Sequence, residues 1–411
     1  MSRHALRAAA LAVAILPAAL AAAAPLSLDQ ALDLAVQRSE ASRAARADLA
    51  SASEAARAAG QLPDPVLRAG IDNLPVTGGD RLSTTRDFQT MKRIGISQEW
   101  LSRDKRAARQ AVAEAAVSRE VTQAQMADAE ARLQTALAYL DAYFASEAVK
   151  LTTLTEHHVH EELEAARARL AASTGGSPEV LALTATRGTA EDETAEVRQQ
   201  QSAAKVALQR WVGVPVDELA ALPALPTPTE QAYVASSPAV LAMQRDIEVA
   251  RQSVAVAASE RKSNWTWELS YGQRTGYSDM VSFGVSIPLQ IAPAARQDRE
   301  TAAKRALVEK AEAALAEATR TATAEYNALA SDAQRLQERV ERYRSGVVTP
   351  TRQRTAAATA AYRSNQTMLV SVFEARHMEV DVQRKLLNLQ RDLAKVQAQL
   401  AFKPLTVGAA P

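Results

Sequence analysis

NWTWELSYGQRTGYSDMVSFGVSIPL, residues 264–289, is the stretch that decides the fold. Trp265, Trp267, Leu269 and Tyr271 alternate with Thr266, Glu268, Ser270 and Gly272. After a polar connection containing Gly276, Val281, Phe283, Val285 and Ile287 alternate with Ser282, Gly284 and Ser286. A period of two sends each set to its own face of a strand, so the stretch is expected to form a hairpin with one apolar face. Each arm runs for about 8–10 residues, roughly the length of a tilted membrane-spanning strand.

The hairpin has a counterpart at 66–72 and 91–100, where Met91-Lys92-Arg93-Ile94-Gly95-Ile96-Ser97 aligns with Met280-Val281-Ser282-Phe283-Gly284-Val285-Ser286. Ala-Ala-Arg-Gln follows both pairs, at 107–110 and 294–297. The chain therefore reads as an internal duplication: a first repeat at 25–226, a second at 227–403 and a C-terminal tail at 404–411.

Around the strands the sequence reads as helix. Ser27 with Gln30 forms a capping box that opens a helix expected over 28–61, which Pro63 and Pro65 end. Between 104 and 172 there is no Pro or Gly, and Leu133, Leu137, Leu140, Phe144, Leu151 and Leu154 recur at helical spacing. That predicts one helix of about 70 residues, roughly 100 Å long. Gly175-Gly176 turns it, with Ser177 expected to cap the return helix and Pro178 at its first position. Thr227-Pro228-Thr229-Glu230 reads as a second capping box, and a break is expected at Ser237-Pro238. Gly346 and Pro350 should kink a further long helix, and Asn365 turns the chain into a last helix with a coiled-coil seam of Leu386, Leu389, Leu393, Val396 and Leu400.

Residues 1–24 place Arg3 and Arg7 before an apolar run ending in small residues, the layout of a secretory signal peptide with cleavage expected near Ala23. Cysteine is absent, which excludes disulfides, thiolate metal sites, cysteine catalysis and lipid attachment through a cysteine. A net charge of +1 gives no pull toward nucleic acid. No phosphate-binding loop, nucleophile elbow or zinc-protease helix is present, so no enzyme and no cofactor is expected.

Four strands cannot close a barrel, since about eight are needed to fill even a small one. Left open in a bilayer, the sheet would expose two rows of unpaired backbone groups, each costing several kcal/mol. The hairpins are therefore expected to meet copies of themselves, and a homotrimer would supply twelve strands. Trp100 ends the second strand and Trp265 begins the third, with Trp267 close by; all three suit a membrane interface facing outer-membrane lipid. A stand-alone porin would need most of its chain in strands, and a periplasmic coiled-coil scaffold would need no alternating hairpins.

Strand, strand, long helix and helix, given twice after a signal peptide, resemble the outer-membrane efflux proteins of the TolC family. Gln61-Leu62-Pro63-Asp64-Pro65, Ile71-Asp72-Asn73-Leu74-Pro75-Val76 and Arg93-Ile94-Gly95-Ile96-Ser97-Gln98-Glu99 resemble its heavy-metal exporter branch. The resemblance implies a mainly α protein with membrane β: a trimer whose twelve-stranded outer-membrane β-barrel, four strands per chain, continues into a long α-helical barrel in the periplasm. It implies an exit duct passing copper, silver, zinc, cobalt or cadmium, with a multidrug duct of the same architecture as the alternative. The implied partners are a periplasmic adaptor of the membrane fusion protein type and an inner-membrane resistance–nodulation–division transporter.

Gly175, Gly176 and Asn365 lie at the far tips of the helical hairpins and are of types that tolerate left-handed turns. The resemblance makes these tips the periplasmic entrance and adaptor contact, and matches two acidic aperture positions to Ser371 and Glu374, so a single acidic ring is expected. His157, His158 and His160, beside Glu161 and Glu162, are weak candidate metal ligands: two pairs at helical spacing form, but no further ligand is placed. His377 stands alone in the sequence and is given no role.

Overall fold

The computed structural model describes residues 25–405. The signal peptide expected at 1–24 and residues 406–411 of the tail lie outside the described residues.

The described chain begins with α1 (Leu28–Arg38) and α2 (Glu40–Ala59). Ser27 closes the capping box with Gln30 as the sequence predicts. The single helix expected over 28–61 is broken, however: Ser39 leaves the helical region (φ −63°, ψ 115°) and its side chain accepts from the Ser42 amide. A serine followed by Glu40 is itself an N-terminal signal, and here it outweighs the uninterrupted alanine-rich pattern. Strands β1 (Val66–Asp72) and β2 (Met91–Trp100) follow, then α3 (Arg103–Ala171), 69 residues long, and α4 (Ser177–Val212).

A second series begins with α5 (Glu230–Ala235) and α6 (Pro238–Ser259) and continues through β3 (Trp265–Arg274) and β4 (Met280–Ser286). The N-cap of α5 is Thr229, whose side chain accepts from Ala232, and not Thr227, so Pro228 lies outside the helix. After β4 come α7 (Gln297–Tyr343), a π-helical turn (Arg344–Val348), α8 (Thr349–Arg363) and α9 (Leu369–Phe402). Where the sequence predicts a kink, the chain widens by one turn: the Thr349 amide reaches back to Arg344 O, just ahead of Pro350, which has no amide to give.

The strands form one antiparallel sheet in the order β1-β2-β3-β4, so the two hairpins lie side by side with β1 and β4 at its edges. Trp100 pairs with Trp265, Ile96 with Leu269, and Leu269 in turn with Phe283. Because directly opposed residues share a face, this register gathers Leu67, Ile94, Ile96, Leu269, Tyr271, Val281, Phe283 and Val285 on one side. Gly95, Ser97, Ser270 and Gly272 fall on the other. A Cβ on Gly95 would stand 2.6 Å from Ser270 Cβ, so glycine permits the close approach of β2 and β3 on this face.

The helical core sits where α1, α3, α4 and α9 meet, around Leu28, Leu32, Tyr139, Leu140, Phe144, Leu208, Val212 and Ala398. Ala35, Ala115, Ala124, Ala131, Ala166 and Ala190 are among the other buried positions, and small side chains there let long helices run close together. Leu26 forms a short parallel bridge with Leu219, and the buried Tyr139 hydroxyl lies 2.8 Å from Leu26 O and 2.9 Å from Ala220 O. At the other end of the described chain, the Leu405 amide donates to Ser236 O at 2.8 Å.

Candidate functional site

The sheet puts most of its large apolar residues on one face, with Lys92, Gln98 and Gln273 as polar exceptions there and Val66, Met91 and Met280 as apolar exceptions on the other. Leu67, Val281 and Phe283 on the apolar face are 71, 72 and 70% exposed within the single chain, with no element of that chain over them. The opposite face carries glycine, serine and paired charges: Arg93 meets Asp72 at 3.0 Å and Arg68 meets Glu268 at 3.6 Å. An apolar outside and a polar, charge-balanced inside are what a strand wall between lipid and water requires. Trp100, Trp265 and Trp267 come together, lining one depression with Phe283 and Val285 at the end of the sheet nearest the helices.

Sheet and helices are joined by an ionic network around one buried lysine, which sequence reasoning missed. Lys105, in the first turn of α3 and only 2% exposed, donates from Nζ to Glu260 Oε2 and Asn264 Oδ1, both at 2.8 Å. Asn264 passes the contact on to Glu99 Oε1 at 2.7 Å, and Arg109 reaches Glu260 at 3.5 Å. Lys262 pairs with Asp104, donating a hydrogen bond that holds its carboxyl below the usual range. The only signal in the sequence was a run of charges at 103–106 and another at 260–262.

The two hairpin tips share one geometry. After α3, Ser173 N donates to Leu170 O and Thr174 N to Arg169 O; after α8, Asn365 N donates to Tyr362 O and Gln366 N to Ala361 O. Both are Schellman turns, with the left-handed position held by Ser173 (φ 56°) and Asn365 (φ 55°). The expectation for Asn365 holds. Gly175 and Gly176 do not take the left-handed position, because the turn is already completed by Ser173. Gly175 serves a different need: a Cβ there would lie 3.0 Å from Arg169 Cβ and 3.1 Å from the Leu170 amide nitrogen. Gly176, not Ser177, is the N-cap of α4. Ser371 and Glu374 fall in the first turns of α9, Glu374 exposed and Ser371 partly so.

The histidine group is rearranged relative to the sequence reading. His157 Nε2 is 3.4 Å from Glu161 Oε1, as helical spacing suggests, and His160 is exposed. Glu162, 3% exposed, has its near neighbour across the helix interface instead, where His377 Nε2 of α9 is 3.4 Å away. His377, without a role in the sequence reading, thus joins the group; no pattern within α3 or α9 alone could reveal this. Arg376 meets Glu161 at 3.0 Å beside it. Burial lifts the Glu162 carboxyl to about 7 in spite of Arg376. Burial also pushes His158 and His377 below the ordinary imidazole range. Among the described residues no three of His, Asp or Glu are placed to hold a metal ion.

No protein-family model matches the chain, and no curated protein matches it. Solved structures do share its fold. The outer-membrane channel OprN superposes with a TM-score of 0.73 at 16% identity, over 92% of this chain and 90% of that one. The outer-membrane protein VceC of Vibrio cholerae gives 0.71 at 18% identity, over 92% and 96%. CusC, described in connection with transmembrane channel formation, gives 0.69 at 13% identity, over 91% of each. The chain therefore has the fold of these outer-membrane channels, a long α-helical body carrying a four-stranded sheet.

Proposed function

We propose that the chain belongs to the TolC family and is one protomer of a trimeric outer-membrane efflux duct. The observation that carries this is the sheet: one face uncovered and apolar, the other polar, with free edges on β1 and β4. Three copies joined edge to edge make a twelve-stranded barrel, remove every free edge and leave a polar lumen. Below it, α3 with its 69 residues carries the wall roughly 100 Å toward the periplasm. The repeats at 25–226 and 227–403 then contribute alternate sectors of the wall.

In this reading the tips around Ser173–Gly176 and Asn365 form the periplasmic entrance, where a periplasmic adaptor and an inner-membrane resistance–nodulation–division transporter deliver the cargo. Exposed Leu170, Leu181, Tyr362, Met368 and Val370 give the tips an apolar surface for that contact. The cargo is heavy-metal cations, on the strength of the segments at 61–65, 71–76 and 93–99. The duct passes them without a resident metal site.

Cross-linking of protein extracted from outer membranes should give trimers, and the purified protein should form conducting pores in planar bilayers. Monomers at saturating cross-linker would overturn the barrel. A deletion strain sensitised to drugs but not to copper, silver, zinc, cobalt or cadmium would move the cargo to the multidrug alternative.

A further inference from the structure

Seven buried side-chain nitrogen or oxygen atoms among the described residues lack a hydrogen-bond partner. Three of them belong to one cluster: His158 Nδ1, Glu162 Oε1 and His377 Nε2. The cluster sits between α3, which leads to the first tip, and α9, which leads away from the second. An unmatched buried polar atom ordinarily costs about 1–3 kcal/mol, and a charged one more. A carboxyl and an imidazole 3.4 Å apart offer a way around that cost, because one proton held between them leaves neither group with an exposed deficit. We propose that Glu162 and His377 form a one-proton latch between the two helical hairpins, just inside their tips, which holds α3 against α9 while the proton is kept and slackens when it is lost.

The surrounding charges come from both helices. His157, His158 and Glu161 lie on α3; Arg376 and Asp381 lie on α9 and act on Glu162 and His377 respectively. The neighbouring helices are tied to α9 by other pairs, Glu193 of α4 with Arg384 and Arg352 of α8 with Glu379.

The pH signs follow from burial. Glu162 titrates at about 7 in the packed state, above the value near 4.3 of a free carboxyl. Its contribution to packing is thus complete below the free value and is lost as pH rises through about 7. The lowered histidines act oppositely: their contribution is present above the free imidazole range and is lost as pH falls through their packed values. The two contributions run in opposite directions with pH, so the Glu162 component is read against a variant that lacks it.

The latch is a property of packing within the chain and stands apart from the proposed function. The test is hydrogen–deuterium exchange of residues 155–168 and 370–380 in the full-length detergent-solubilised protein, corrected for intrinsic rates. Between about pH 6 and about pH 8.5, the ratio of wild-type to Glu162→Gln exchange should rise about tenfold. A ratio that stays constant means that Glu162 is merely structural, and overturns the latch. Should Glu162→Gln fail to fold, the wild-type protein suffices: a protonated-carboxyl infrared band at the lower pH that disappears at the higher supports the latch, and its absence at the lower pH overturns it.

Discussion

Lys105, near the start of α3, and Glu260, the residue that closes α6, stand 2.8 Å apart in a place where the lysine is 2% exposed. The pair ties the helix leaving the first hairpin to the helix entering the second, 155 residues away. Replacing Lys105 by Met should remove the donor and leave Glu260 and Asn264 facing apolar surface. Glu260 is about one-third exposed (36%), which tempers the penalty to about 1–3 kcal/mol. Thermal unfolding should show this loss, and Glu260→Gln in the same background should recover part of it.

The close approach of β2 and β3 gives a sharper contrast. Gly95→Val would drive a side chain into Ser270 and Leu269 O, 2.6 and 2.9 Å from its Cβ, and should abolish the cross-linked trimer band on gels. Gly284→Ala, with nothing within 4 Å, should leave that band unchanged.

At the tips the structure separates two adjacent glycines. Gly175→Ala meets Arg169 Cβ at 3.0 Å and should impair export while oligomer yield stays normal. Gly176→Ala meets only Pro178 Cδ, at 3.5 Å, in an ordinary extended conformation, and should export normally. Ser173→Gly, relieving a left-handed serine at φ 56°, should stabilise the turn by about 0.5–1 kcal/mol, visible as slower exchange of the α3 C-terminus.

Glu374 provides a test of the entrance. If three copies bring this exposed side chain to one ring, Glu374→Gln should lower cation selectivity and block by multivalent cations in planar bilayers. His157→Ala should leave both unchanged. Wild-type selectivity in the Glu374 variant would place this residue off the pore.

The parts legible in the sequence are those fixed by local periodicity. Alternation at 265–271 and 281–285 gives strands whichever neighbours they meet, and 69 residues without a breaker give α3 its length. Local signals also compete, and the outcome depends on packing: Ser39 opens a new helix although α1 could have continued, and Ser173 takes the left-handed position although two glycines follow. The contacts that matter most at the candidate sites join residues far apart in the chain, such as Glu161 with Arg376, separated by 215 positions. Neither His377 nor Lys105 shows its partner in its own segment, because each acquires its surroundings from a helix in the other half.

The π-turn at Arg344–Val348 adds one residue to what would otherwise be a single rod of α7 and α8. One residue advances the azimuth of everything beyond it by about 100°. The bearing of Tyr362 and Asn365 is thus set remotely, by chain length and not by charge or volume at the tip. Deleting Gly346 would swing the second tip about the rod axis like the hand of a dial, while the sheet at the opposite end kept its heading.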